Sequence, residues 1–226
     1  MTLPVVLGAG PDSFFWWSWV TDHGDDVRHR LWEHLVLTGL AVGIGFVVAM
    51  VLSLLALRVR WTYGPITWIT GLLYTIPSLA LFSFLLPITG FTTTTAEIGL
   101  VSYTLLILVR NIVAGIDGVP DSVREAADAM GYRPWRRFLE VDLRLATPAI
   151  VAGLRIASVT TVGLVTITAL IGQGGLGYFI NDGINRRFST PIVLGAGLSV
   201  AVAVSLDVMF LGLQRVLTPW SRAARR

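Results

Sequence analysis

No cysteine and no lysine occur among the 226 residues, and there are only three histidines. Without cysteine there is no disulfide framework, no thiolate nucleophile and no cysteine-ligated metal site. Charge is scarce as well: 14% of the residues are charged, where an ordinary globular domain carries about 25%. With 54% of the chain hydrophobic, disorder and a collagen-like fibre are excluded. A mean hydropathy of +0.72 marks an integral membrane protein. All 17 basic residues are arginine, a usage we read as nucleotide-composition bias. On such a chain a formal net charge of +3 reports membrane topology rather than nucleic-acid binding.

A bilayer core takes about 20 apolar residues per helix. Five stretches qualify, at about 35–57, 65–91, 98–116, 145–172 and 190–213. They predict an all-α integral membrane protein with a membrane domain over 35–217. Five spans put the termini on opposite sides. With the N-terminus outside, the outer segments hold only Arg28, Arg30, Arg186 and Arg187, and every other arginine is inside. The positive-inside rule therefore predicts N-terminus out and C-terminus in. Residues 1–34 read as an external interfacial segment, since the aromatic run Phe14–Trp19 is too short to span and suits the membrane boundary. A signal peptide fits poorly, because no basic residue precedes the first apolar run and Pro11 and Asp12 interrupt it. Residues 218–226 form a basic cytoplasmic tail.

The one long polar stretch lies at 117–144, on the inner side. Pro120 suits a helix start, and Ser122 with Glu125 has capping-box spacing one turn on. Val123, Ala126, Ala127 and Met130 fall at i, i+3, i+4 and i+7, a low apolar stripe rimmed by Arg124, Glu125 and Asp128. Gly131 ends this helix, and a second can run from Pro134 to Leu143. A low face lets another protein come close. The same pattern also fits a helix lying on the bilayer or packed on its own spans.

Glu125-Ala126-Ala127, three residues, Gly131, nine residues and then Val141-Asp142-Leu143 resembles the E-A-A signature of bacterial ABC-importer permeases, E-A-A-x3-G-x9-I-x-L-P. Val141 stands for Ile, and Arg144 for the final Pro, with Pro148 four residues later. The resemblance covers roughly 31–220. Ile76-Pro77-Ser78-Leu79-Ala80-Leu81 and Ala169–Gly177 resemble runs of the subgroup that imports glycine betaine, choline, carnitine and proline-type osmoprotectants. The resemblance implies a type I importer permease core of five transmembrane helices, with a cytoplasmic coupling helix, in a bacterial inner membrane. It implies that Val123, Glu125, Ala126, Ala127, Met130, Gly131 and Tyr132 contact a cytoplasmic ABC ATPase dimer. An extracytoplasmic solute-binding protein and a second permease copy or paralogue are the other implied partners. Pro77, Ser78, Gln173, Gly174 and Gly175 are candidates for the translocation pathway.

Other motifs yield less. Gly172, Gly174 and Gly177 spell G-x-G-x-x-G, but a dinucleotide site needs a βαβ unit and an apolar span precedes this one. A flexible turn at the outer end of the fourth span is the reading we keep. Pro77 predicts a mid-span kink, with the Ser78 hydroxyl near the freed carbonyls. Arg110, Arg155 and Asp207 are charges within spans. All three lie roughly 10 Å deep at 1.5 Å per residue, so Asp207 is expected to pair with Arg155 or Arg110. His23, His29 and His34 are read as surface or interfacial residues. Gly197-Leu198-Ser199 has no histidine in any span to act as base for a serine nucleophile.

No catalytic residue and no metal site is expected. There is no Walker A pattern, so ATP and magnesium are expected on the partner ATPase and no cofactor on this chain. The expected function is half of the pathway of an osmoprotectant importer. An importer for another small polar solute such as an amino acid is the alternative. An intramembrane enzyme lacks titratable groups at one depth beyond the Arg/Asp set, and a non-transporting scaffold leaves the kinked, glycine-rich spans unexplained.

Overall fold

The computed structural model describes residues 14–219, and among these there is no β-strand. The first 13 residues of the interfacial segment and residues 220–226 of the basic tail lie outside the described residues. Among the described residues ten α-helices follow one another: α1 Trp17–Asp22, α2 Gly24–Arg58, α3 Tyr63–Thr75, α4 Ser78–Thr89, α5 Thr93–Asp117, α6 Asp121–Ala129, α7 Pro134–Arg137, α8 Leu143–Thr168, α9 Gly177–Arg186 and α10 Ser189–Leu217. Four of them, α2, α5, α10 and α8 with the turns on either side of it, are long and apolar enough to cross a membrane, and α3 with α4 counts as one broken span. With 35 residues, α2 is about 52 Å long at 1.5 Å per residue. That exceeds a hydrocarbon core of about 30 Å, so part of α2 extends beyond it. Asp25 and Asp26 in its first turn and Arg58 in its last oppose its macrodipole with the favourable signs.

The second span is not one helix over 65–91. Ile76 and Pro77 are extended, with ψ of 128° and 133°, and the helix stops and restarts there. Proline removes one amide donor and clashes with the preceding turn. The Ile76 carbonyl that loses its helical partner accepts a hydrogen bond from the Tyr103 hydroxyl instead. That partner keeps the break fixed.

The chain divides into two compact units. Among the described residues, one takes in 14–41, Pro77–Leu100 and Thr160–Val204; the other takes in Val42–Ile76, Val101–Val159 and 205–219. In the second, Ala49, Ala56, Leu108, Val109, Ile112, Val113, Ile116, Ala146, Ile150 and Ala157 form a buried cluster, with Phe46, Tyr63 and Phe138 packed against it. Small residues bring the helices close: a Cβ at Gly153 would strike Asn111, and one at Gly45 would strike Thr104. In the first unit Phe82, Leu100, Leu176 and Phe179 are buried, and Gly177 lies against the backbone of Thr166. Large apolar side chains such as Val47, Val51, Ile88, Val200 and Val208 stay exposed, as a lipid-facing surface requires.

Candidate functional site

The polar stretch 117–144 folds as two short helices and a turn. Pro120, extended with ψ 139°, is the N-cap of α6, and no side chain caps it. The expected capping box is therefore not formed: Ser122 sits inside the first turn, two residues past the cap position. The other end is closed well. Gly131 is left-handed at φ 83°, its amide donates to Asp128 at 2.9 Å, and the Tyr132 amide donates to Ala127 at 3.2 Å. These two bonds are a Schellman motif, which satisfies the last carbonyls of the helix and needs positive φ at the glycine.

The apolar stripe of α6 divides between two faces. Ala127 is buried and Val123 half-buried, whereas Glu125, Ala126 and Met130 are exposed, Met130 by 70%. Glu125 makes no ion pair among the described residues. Gly131 is exposed, and Tyr132 is half-buried with the Arg136 guanidinium 5.0 Å over its ring. Trp135, 67% exposed, stacks on Phe138 and extends the apolar outer surface. Inward, Arg124 Nε donates to Asp142 at 3.0 Å and its Nη2 to the Ile116 carbonyl at 2.6 Å. Arg137 pairs with Asp128.

The glycine-rich turn lies in the other unit. A 3-10 turn over Ala169–Ile171 ends at Gly172, left-handed at φ 75°, and Gly175 is left-handed at φ 86°. Two side chains of α2 hold this turn. The Gly175 amide donates to Glu33 Oε2 at 3.0 Å, and the Leu176 amide to His34 Nδ1 at 3.3 Å. His34 is fully buried, so the expectation of a surface or interfacial histidine is corrected for it. The ring is inside because its nitrogen caps a backbone amide that would otherwise be buried unpaired. His29 pairs with Glu33 at 3.2 Å and keeps an exposed side chain. His23 is half-buried, stacked on Trp19. Glu33 also accepts from Arg30 at 3.0 Å. A Cβ at Gly174 would collide with the Glu33 carboxylate. Gln173 accepts from the Thr93 hydroxyl at 3.3 Å. Sequence reasoning missed Glu33, whose partner in the chain is 142 residues away.

At the broken span, Pro77 is exposed and Ser78 half-buried. Among the described residues the Ser78 hydroxyl makes no hydrogen bond; Tyr103 takes the carbonyl expected of it. Asp207 receives both bonds of the Arg155 fork, Nε at 2.9 Å and Nη2 at 3.0 Å. Arg110 is exposed and stands outside this pair, with no ion pair among the described residues.

Residues 5–222 match the family described as binding-protein-dependent transport system inner membrane component. The chain is 34% identical over 206 residues to the osmoprotectant import permease protein OsmW of Salmonella typhimurium, covering 89% of this chain and 96% of that one. It is 32% identical over 197 residues to the choline transport system permease protein OpuBB of Bacillus subtilis, covering 87% and 91%. In fold it is similar to a chain of the MetNI methionine ABC transporter in an inward-facing conformation, with a TM-score of 0.73 at 21% identity over 85% of this chain and 96% of that one. The chain belongs to the family of binding-protein-dependent transport system inner membrane components, and it is a permease subunit of an ABC importer.

Proposed function

We propose that this chain forms half of the translocation pathway for a quaternary-amine or proline-type osmoprotectant such as glycine betaine, choline or carnitine. A second copy or a paralogue supplies the other half, since one chain of this span number does not enclose a pore. A solute-binding protein delivers the solute from outside, and ATP with its magnesium is bound and hydrolysed on a separate cytoplasmic ATPase dimer. The single observation that carries the coupling is the outward row of α6. Glu125, Ala126 and Met130 face away from the chain's own helices, and a low, partly apolar surface of this kind suits a protein groove. The names of the relatives support the solute class, and the arginine distribution supports a cytoplasmic α6 and C-terminus.

In this reading closure of the ATPase dimer moves α6, and the spans swing between inward- and outward-facing states as rigid bodies. Pro77, Ser78, Gln173, Gly174 and Gly175 border the pathway, and the Arg155–Asp207 pair neutralises two charges within the spans. The test is uptake of labelled glycine betaine and choline by proteoliposomes holding this chain, its ATPase and its binding protein. Uptake that needs ATP and disappears in Glu125→Arg, together with ATPase association, is the expected result. Uptake of neither solute, with the ATPase still bound, discards the solute class and leaves the importer.

A further inference from the structure

A docking face is only half of a coupling device, because a displacement there has to reach the spans. The E-A-A pattern does not say how. Asp142 fills its unspecified position between Val141 and Leu143, and Arg124 immediately precedes its first residue, Glu125. The structure joins these two residues. Asp142 closes the π-helical turn, Phe138–Asp142, that leads into α8. Its side chain is only 6% exposed. Arg124 Nε donates to its Oδ1 at 3.0 Å. Arg137 Nε lies 3.8 Å from its Oδ2, an ion pair without a hydrogen bond.

Both arginines reach further. Through Nη2, Arg124 also holds the Ile116 carbonyl in the last turn of α5, where a cation is favoured by the helix dipole. Arg137 holds Asp128 near the end of α6. The helix is thus fastened towards both ends, and both fastenings meet at one buried carboxylate. Exposed ion pairs contribute little, but a withdrawn carboxylate between two guanidinium groups is different: losing it leaves Arg124 with the exposed Asp121 and the Ile116 carbonyl and Arg137 with Asp128, and it unties α6 from the turn that leads into α8. Such a loss frees α6 to pivot at Pro120 and Gly131. It leaves the docking face in place, since Glu125, Ala126 and Met130 point the other way.

We infer that Asp142 is a positioning residue that passes the displacement of α6 into α8 and α5, acting through Arg124. The inference rests on the reading of α6 as the ATPase contact. The test uses the whole importer, reconstituted with its ATPase and binding protein, and measures ATP hydrolysed per solute taken up beside ATPase association. Asp142→Asn is expected to keep association and to raise that ratio about fivefold or more, the lower edge of a typical coupling free energy. Asp142→Glu, which keeps the charge, is expected to recover part of the uptake. A merely structural role lowers association and uptake together and leaves the ratio alone. Because the chain has no cysteine, the double variant Arg124→Cys, Asp142→Cys can be bridged by a short bifunctional thiol reagent, and the bridge is expected to restore the ratio. An unchanged ratio in Asp142→Asn, loss of ATPase association in that variant, or a bridge without effect overturns the inference. Failure of the unaltered chain to bind the ATPase sinks the reading beneath it instead.

Discussion

Tyr103 does for the broken span what Pro77 cannot do for itself. The helix stops and restarts at Pro77, and the Ile76 carbonyl, extended and outside both helices, would be left bare in a medium with no water to satisfy it. The Tyr103 hydroxyl supplies the missing bond, and Tyr74 packs edge-on against its ring at 6.0 Å. Tyr103→Phe keeps the ring and removes only the donor. The expected cost is about 1–3 kcal/mol, that of an unsatisfied buried polar group, read as a lowered midpoint in thermal unfolding of the purified protein. An unchanged midpoint means that the break does not depend on this bond. Proline announces itself in the sequence, but its rescuer does not, because Tyr103 lies 27 residues from Ile76 in what reads as an ordinary span aromatic. His34 was illegible for the same reason. A histidine at the edge of an apolar run reads as interfacial until the chain returns, 142 residues later, with an amide for it to cap. The Arg155–Asp207 pair was half legible: helix rise fixes depth, so depth proposed two arginines for Asp207, but only the rotational face of the helices sets Arg110 aside.

Among the elements, the long helices were readable because hydrocarbon imposes length and composition on anything that crosses it. The boundaries of α6 were less so. Its start lies between the two candidates that local rules offered, Pro120 as a helical residue and Ser122 as a cap. Its end was legible from Gly131 alone, because a left-handed residue after a helix is almost always glycine. That glycine makes the element testable. No atom lies within 4 Å of a Cβ built at Gly131, so Gly131→Ala meets no neighbour and bears only the cost of a left-handed backbone, about 1–2 kcal/mol. A loss of that size is about 5–30-fold in an equilibrium, and it is expected in the affinity of the ATPase for the permease measured by co-purification at graded concentrations. Equal affinity implies that the ATPase does not need α6 ended in this way. The two faces of α6 were beyond the sequence, since its stripe of Val123, Ala126, Ala127 and Met130 looks uniform on a helical wheel. Packing against α7 and the π-helical turn buries Ala127 and half-buries Val123, and leaves Ala126 and Met130 outside.

At the scale of the whole molecule, the family and the importer role rest on a match over most of the chain. The proposal adds that α6 is cytoplasmic and that its outer face meets an ATPase; its inner face is fastened through Arg124 to Asp142, at the turn that leads into α8. Two separate observations support the proposal, the arginine distribution for the cytoplasmic side and the exposure of Met130 for a surface open to a partner.

One measurement tests both at once. The chain has no cysteine, so Met130→Cys places a single thiol on the outer face of α6, and Ala127→Cys places one on the buried face. A membrane-impermeant thiol reagent is applied to vesicles of known orientation, with and without the ATPase. The account expects Met130→Cys to react only from the cytoplasmic side and to be protected when the ATPase is bound, while Ala127→Cys reacts poorly in every condition. Reaction of Met130→Cys from outside, or equal reaction with and without the ATPase, would contradict it.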